Sequence, residues 1–303
     1  MENERWPDFF IVGAAKAGTT SLYTYLDDVP EVCMSLIKEP HFFSPNVDPE
    51  SFFHTVRTKE EYLKMFKITP RHRTLGEASP SYLWDKDSPK LIHSTAPDAK
   101  IIMMLRDPIS RAYSHYLHHV RIGWDKRDFH EAVKQDFHSD SRNTWKVPNQ
   151  YVSQGFYADQ AKRYFDLFDS KNIKVIIFEE FFKDTRGHVL DVMRFLGLES
   201  EPPPIVGEVI NPFLVSRNEF SAELLNRLIK FSHAGKIRYK LTHIIPEGLI
   251  VKILSDLLLK KSDKKPSISQ ESREFLTGLY RPQVKELENL LGRPLPWTIS
   301  EGH

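Results

Sequence analysis

Residues 11–22 read IVGAAKAGTTSL, and the reading of this stretch decides the fold. An apolar run, Phe9–Val12, leads into two glycines, Gly13 and Gly18. Thr19-Thr20-Ser21 then open a segment with helical patterning. A strand, a glycine-bearing turn and a helix together make an anion site. The first backbone N–H groups of a helix lack intrahelical partners, and the helix dipole adds partial positive charge beside them. The glycine spacing is that of a phosphate-binding loop, G-x-x-x-x-G-K-[ST], but the lysine is displaced. Thr19 stands where that lysine belongs, and the cation of this loop is Lys16.

Working outward, two more apolar runs read as buried strands, Ile101–Leu105 and Val175–Phe178. All three runs are apolar on both faces, as in a parallel sheet covered by helices. Each precedes a helical pattern, at Thr19–Leu26, Ile109–Val120 and Thr185–Leu196. Repeated strand-then-helix order predicts an α/β, three-layer fold with a mostly parallel sheet. Ligands of such sheets sit at the carboxyl ends of the strands. A last helix is expected over 269–291, stopped by Gly292 and Pro294. The chain reads as a single domain over 1–303. An amphipathic, partly basic helical insertion or lid is expected at about 220–265.

Bulk properties narrow the classes of function. The 303 residues are 40% hydrophobic, enough to bury one large core. Lys+Arg is 42 against Asp+Glu 41, so no global field points to nucleic acid. Cys33 is the single cysteine, which excludes an internal disulfide and a cysteine metal cluster. No apolar run approaches the roughly 18 residues of a membrane span. The expectation is a soluble, cytoplasmic chain without a transmembrane segment, and its oligomeric state is open.

A nucleotide kinase is the first alternative for the loop. It would place a magnesium-binding aspartate after the strand IIMML, where Asp107 stands. Arg106 intervenes, however, and suits a phosphate better than a metal. Asp107 can equally cap the helix that begins near Pro108.

Other segments carry a resemblance. KAGTTSL resembles the 5′-phosphosulfate loop of sulfotransferases that use PAPS, 3′-phosphoadenosine 5′-phosphosulfate. RDPISRAYS resembles that family's 3′-phosphate motif. KEPHFFS (38–44), GEASPSYL (76–83), GFYADQAKRYF (155–165), VIIFEEFFKD (175–184) and YRPQVKELENLLGRPLPW (280–297) continue it in the family order. The resemblance covers most of the chain and is least clear at 220–265. It implies a P-loop-like fold and PAPS as co-substrate, with PAP as product and no metal ion. Lys16, Ala17, Gly18, Thr19, Thr20 and Ser21 would hold the 5′-phosphosulfate. Arg106 and Ser114 would hold the 3′-phosphate, and Arg217 and Asn218 would close over it. Lys16 would stabilise the leaving 5′-phosphate during in-line transfer of the sulfuryl group to an acceptor hydroxyl.

The heparan-type branch of that family uses a glutamate in an E-x-H-F-F segment as general base. The resemblance therefore points to Glu39 as base and to His41 as a neighbour that orients it or contacts the acceptor. Phe42 and Phe43 are expected to form an apolar wall that raises the Glu39 pKa. His115, His118 and His119 are rival bases, read otherwise as surface or ribose-side residues. Heparan 3-O-sulfating enzymes carry a basic residue, an aspartate and a lysine where this chain has Thr20, Ser44 and Ala78. Taken as facing the sugar, those neutral replacements argue against a polyanionic acceptor. A small-molecule, lipid, glycan or carrier-bound acyl or polyketide hydroxyl is expected instead. A catalytically inactive nucleotide-binding module is the reading outside enzymes.

Overall fold

The computed structural model describes residues 5–48, 55–121, 123–139, 150–204, 214–216, 221, 259–261 and 266–299. Five parallel strands form the central sheet: β1 (Phe9–Gly13), β2 (Val32–Met34), β3 (Thr74–Ala78), β4 (Lys100–Leu105) and β5 (Ile173–Ile177). Their order is β2-β3-β1-β4-β5. The chain thus lays β3 on one side of β1 and β4 on the other, and the crevice beyond β1 is the topological switch point where such sheets bind ligands. Every residue of β1, β2 and β3 is buried.

The three strands read from the sequence are present with ends shifted by one or two residues. Thr19–Asp27 (α1) follows β1, and Pro108–Arg121 (α5) follows β4. Thr185–Phe195 (α9) follows β5 after the single turn Phe178–Phe181 (α8). Short helices fill the other connections: α2 (Lys59–Leu63), α3 (Ser81–Trp84), α4 (Ser88–Thr95), α6 (Phe129–His138) and α7 (Tyr157–Phe165). The last described helix runs Gln270–Leu291. Ser269 caps its start through Ser272 N–H, and Gly292 ends it in the left-handed conformation. Of the expected insertion at 220–265, only Ser221 and the strand Leu259–Lys261 are among the described residues. That strand pairs antiparallel with Leu214–Ser216.

The C-terminal segment braces the far side of the crevice. Trp297 Nε1 donates to Glu179 Oε2 at 3.0 Å, and Glu179 Oε1 accepts from Asp107 N–H at 3.1 Å. Arg293 forks onto Glu180 at 2.7 and 2.9 Å. Loops that follow β4 and β5 are thereby fixed to one another.

Register in the sheet depends on one glycine. Phe9 of β1 pairs with Gly76 of β3, and a Cβ at residue 76 would lie 2.0 Å from the Phe9 ring. Gly76→Ala is therefore expected to cost about 2–3 kcal/mol through overpacking. Urea unfolding monitored by tryptophan fluorescence checks this. A loss under about 0.5 kcal/mol would mean that the ring can move aside.

Candidate active site

The site is assembled from the ends of three strands. After β1 the chain turns through residues 14–18. Ala14 N–H donates to the Met104 carbonyl of β4 at 2.6 Å, and Ala17 N–H donates to the Ala14 carbonyl at 3.2 Å. Gly18 has φ 90° and forms the N-cap of α1. A side chain there would be strained and would press on Phe178, Phe182 and Met104. No side chain caps α1, and its first turn holds no acidic residue. The N–H groups of Thr19, Thr20 and Ser21 are left for an anion. Thr19 and Ser21 are buried, and Thr20 is half-buried.

From β4, Arg106 reaches back across the crevice. Its Nη1 donates to the Lys16 carbonyl at 3.2 Å, and its guanidinium lies 4.3 Å from the Phe178 ring centroid. Asp107 is taken up locally, because its Oδ1 accepts from Ser110 N–H at 2.7 Å and caps α5. That is the helix-capping role the sequence allowed. Ser114 stands in α5 and is half-buried.

The third contribution comes from the loop after β2, anchored on β3. Glu39 N–H donates to the Ala78 carbonyl at 3.0 Å. The Glu39 carboxylate receives Lys38 Nζ on Oε1, and His41 Nε2 lies 3.9 Å from Oε2. His41 is 1% exposed. Its N–H donates to Ser79 Oγ at 3.1 Å, and its Nδ1 is 2.6 Å from Ser81 Oγ. Phe43 N–H donates to the Tyr82 hydroxyl at 3.3 Å, and Tyr82 in turn donates to Glu77 at 3.0 Å. Burial pushes the Glu77 carboxyl up to about 7, although Tyr62 and Tyr82 both donate to it.

Backbone strain is concentrated here. Four non-glycine residues among those described have positive φ: Lys16 (66°), Glu39 (65°), His41 (53°) and Gln150 (83°). An L-residue pays roughly 1–2 kcal/mol to adopt that region. Such outliers persist where the surroundings over-determine them, and they cluster at functional sites. Three of these four are the residues selected from the sequence as catalytic.

Charge is equally concentrated. Burial, then Arg121, lowers the Lys16 ammonium to about 8, and Lys38 and Arg106 press it in the same direction while Glu39 opposes them. His118 and Arg121, on the last turn of α5, belong to the same cluster. Arg121 Nη2 lies 2.7 Å from His118 Nδ1, so His118 accepts there and is neutral with its proton on Nε2. Burial and then Lys16 hold His118 well below its usual range. Several cations set against one carboxylate make an environment that an anionic ligand would relieve, and the residues present therefore fit a phosphosulfate.

Some expectations need correction. Phe42 and Phe43 turn into an aromatic cluster with Trp6, Tyr62 and Phe10, with Phe42 stacked on Tyr62 at 4.4 Å. Burial still pushes the Glu39 carboxyl up, but Lys38 and Lys16, joined by His41 when that ring is protonated, outweigh it and hold the group below the usual carboxylate range. His115 and His119 are not surface groups, being 6% and 3% exposed. His115 lies 3.5 Å from Arg111 Nη1, and His119 Nδ1 lies 2.9 Å from a Tyr151 hydroxyl that donates to Asp125. Ser44 and Ala78 are wholly buried, so their neutrality cannot argue against an anionic acceptor. Arg217 and Asn218 lie outside the described residues. Sequence reasoning passed over the proximity of Arg121 and His118 to Lys16. The i, i+3 spacing of that pair beyond Ser114 was the available signal.

Comparison with known proteins agrees with this geometry. A family model described as a sulfotransferase domain matches residues 6–215. Carbohydrate sulfotransferase 15 of Mus musculus is 33% identical over 173 residues, covering 43% of this chain and 30% of that protein. The bifunctional heparan sulfate N-deacetylase/N-sulfotransferase 4 of Mus musculus is 28% identical over 316 residues. That match covers 97% of this chain and 31% of the relative. The chain thus spans less than a third of the length of either. A crystal structure of a sulfotransferase from Alicyclobacillus acidocaldarius superposes with a TM-score of 0.68 at 28% identity, covering 96% of this chain and 98% of that one.

The position of Lys16 yields a pH test. A lysine titrating near 8 in the free protein loses its charge as pH rises past that value, and an anionic ligand favours the charged form. Affinity for adenosine 3′,5′-bisphosphate is expected to fall about tenfold between pH 7 and pH 9. Lys16→Arg, charged throughout, should flatten this profile. Calorimetric titration at several pH values checks both, and a flat wild-type profile would contradict the placement of Lys16 at the anion.

Proposed function

The chain belongs to the sulfotransferase domain family, and from that premise we propose that it transfers a sulfuryl group from PAPS to an acceptor hydroxyl. The observation that carries this reading is the convergence of Lys16, Glu39 and His41, all in left-handed backbone conformations, on one crevice beside an uncapped helix start. PAPS supplies an activated sulfuryl group joined to a leaving 5′-phosphate. Residues 16–21 would hold that phosphosulfate through backbone N–H groups, hydroxyls and the Lys16 ammonium. Arg106 and Ser114 would hold the 3′-phosphate.

Each role has a physical reason. Negative charge accumulates on the bridging oxygen as the S–O bond breaks, so a cation placed at that oxygen stabilises the transition state more than the ground state. Glu39, held ionised against its burial by Lys38 first and by Lys16, is in the protonation state a base requires. It takes the acceptor proton as the acceptor oxygen bonds to sulfur. Once Lys16 is engaged by the phosphosulfate its pull on Glu39 weakens, and the carboxylate becomes a stronger base at the moment of use.

For the acceptor we favour a carbohydrate hydroxyl. Two relatives are named for carbohydrate and heparan sulfate. A cleft of about 210 Å³ has Asn46, two residues beyond Ser44, in its lining. Trp84 and Phe156 line it together with Asp159, Gln160 and Arg163. Aromatic faces among amides and charged groups suit a sugar ring. Among the described residues no helix is long and apolar enough to cross a membrane.

Glu39→Gln is expected to lower kcat by about 10²–10⁴ while affinity for adenosine 3′,5′-bisphosphate stays within about twofold of wild type. Lys16→Ala should lose both turnover and affinity. Labelled PAPS with a panel of sugars, lipids and carrier-bound hydroxyls reads turnover and acceptor class together. Near-normal turnover in Glu39→Gln would remove that residue from the mechanism. Label confined to lipid or carrier-bound acceptors would overturn the carbohydrate assignment.

A further inference from the structure

Three serines wholly removed from solvent, Ser44, Ser81 and Ser88, run in a line behind His41. Ser81 opens α3 and Ser88 opens α4, so two helix starts bring their hydroxyls to one point. His41 Nδ1 lies 2.6 Å from Ser81 Oγ, which lies 2.7 Å from Ser44 Oγ, which lies 3.2 Å from Ser88 Oγ. Ser88 Oγ is 2.6 Å from the Phe43 carbonyl.

One assignment of the protons satisfies all four contacts. A carbonyl only accepts, so the single Ser88 hydroxyl proton goes to Phe43. Ser88 must then accept from Ser44, Ser44 from Ser81, and Ser81 from His41. The last donor can only be an Nδ1–H. Reversing any link leaves two oxygens, or an oxygen and a ring nitrogen, in contact without a proton between them. In a site without solvent such a contact costs about 1–3 kcal/mol.

We propose that this serine chain is a positioning device that holds neutral His41 as the Nδ1–H tautomer, so that its Nε2 lone pair faces Glu39 and receives the proton Glu39 takes from the acceptor. The inference rests on the reading of Glu39 as base. The proton balance is simple. The acceptor O–H bond breaks to Glu39 as the acceptor O–S bond forms. The carboxyl proton then passes from Oε2 to Nε2, leaving a carboxylate beside an imidazolium that later releases its proton to water. The resting separation of 3.9 Å has to close by somewhat less than 1 Å for direct transfer. Contacts of this kind commonly tighten only in the reacting complex. Glu39 and His41, both at left-handed φ, flank Pro40, and their side chains approach to 3.9 Å.

Nitrogen-15 NMR of the full chain labelled at histidine tests the proposal directly, because the two tautomers of neutral imidazole differ in both ring-nitrogen shifts. At pH 8.5 wild-type His41 is expected as Nδ1–H, the minor form of free imidazole. Ser81→Ala, checked for folding by its thermal shift with adenosine 3′,5′-bisphosphate, should convert it to Nε2–H. The same variant should lower kcat at least tenfold with KM for PAPS unchanged, and Ser81→Thr should recover part of both signals. An Nε2–H signal in wild type overturns the proposal, as does an imidazolium persisting at pH 8.5. If Glu39→Gln were active while the wild-type tautomer stood as stated, the base assignment would fall and the serine chain would remain.

Discussion

The arrangement of this domain turns on an imbalance of charge at the carboxyl edge of its sheet. Lys16, Lys38, Arg106 and Arg121 act on a common region that offers Glu39 as the opposing carboxylate. Burial first, and then the neighbouring cations, bring the Lys16 ammonium down to about 8. Such a cluster is a cost to the empty fold, and it is recovered only when an anion arrives. The surrounding structure works to keep the cations from escaping. Arg106 is stacked on Phe178, and the loop carrying Lys16 is tied to β4 by its own backbone. The Trp297–Glu179–Asp107 connection then locks the β4 end to the C-terminal segment.

The same logic accounts for the backbone conformations. A lysine, a glutamate and a histidine in the left-handed region are each unfavourable in isolation. They are held by strand-end hydrogen bonds, Glu39 to the Ala78 carbonyl and His41 to Ser79 Oγ. A sheet with every residue of its three inner and edge strands β1, β2 and β3 buried is rigid enough to impose this. Function is thus drawn from local strain that the core over-determines.

How much of this could be read in the chain alone depends on what kind of information each feature carries. β1, β4 and β5 were legible because they are apolar on both faces, whereas β2 and β3 escaped notice. Val32–Met34 is only three residues long, and Thr74–Ala78 carries Gly76 and Glu77 in its middle. Glu77 is paired to Tyr62 and Tyr82, partners that only the fold brings near it. The turn between β1 and α1 was legible because glycine spacing and local sequence encode it. The fate of Phe42 and Phe43 was not, since a short aromatic pair reads equally as a pocket wall or as core. Nor could the sequence say that Ser44 and Ala78 face inward, where their neutrality has no bearing on the acceptor.

The burial of Ser44 also bears on the proposed pairing of Glu39 with His41. A carboxylate at that position, as in the heparan 3-O-sulfating pattern, would place a negative charge behind His41 and favour a permanent imidazolium. An imidazolium has no lone pair to offer, so it can steady Glu39 electrostatically but cannot take its proton. A chain of neutral hydroxyls imposes direction without charge. It fixes which ring nitrogen carries the proton and leaves the ring free to change protonation state. Ser81 and Ser88 are each the first residue of a helix, one past the N-cap position (Pro80 and Asp87) at which a hydroxyl would act as a local cap. In this chain neither is used in that way: α3 and α4 have no side-chain cap at their N-caps, and the two hydroxyls point along the chain from His41 to the Phe43 carbonyl. These hydroxyls serve a directed hydrogen-bond path behind the proposed base.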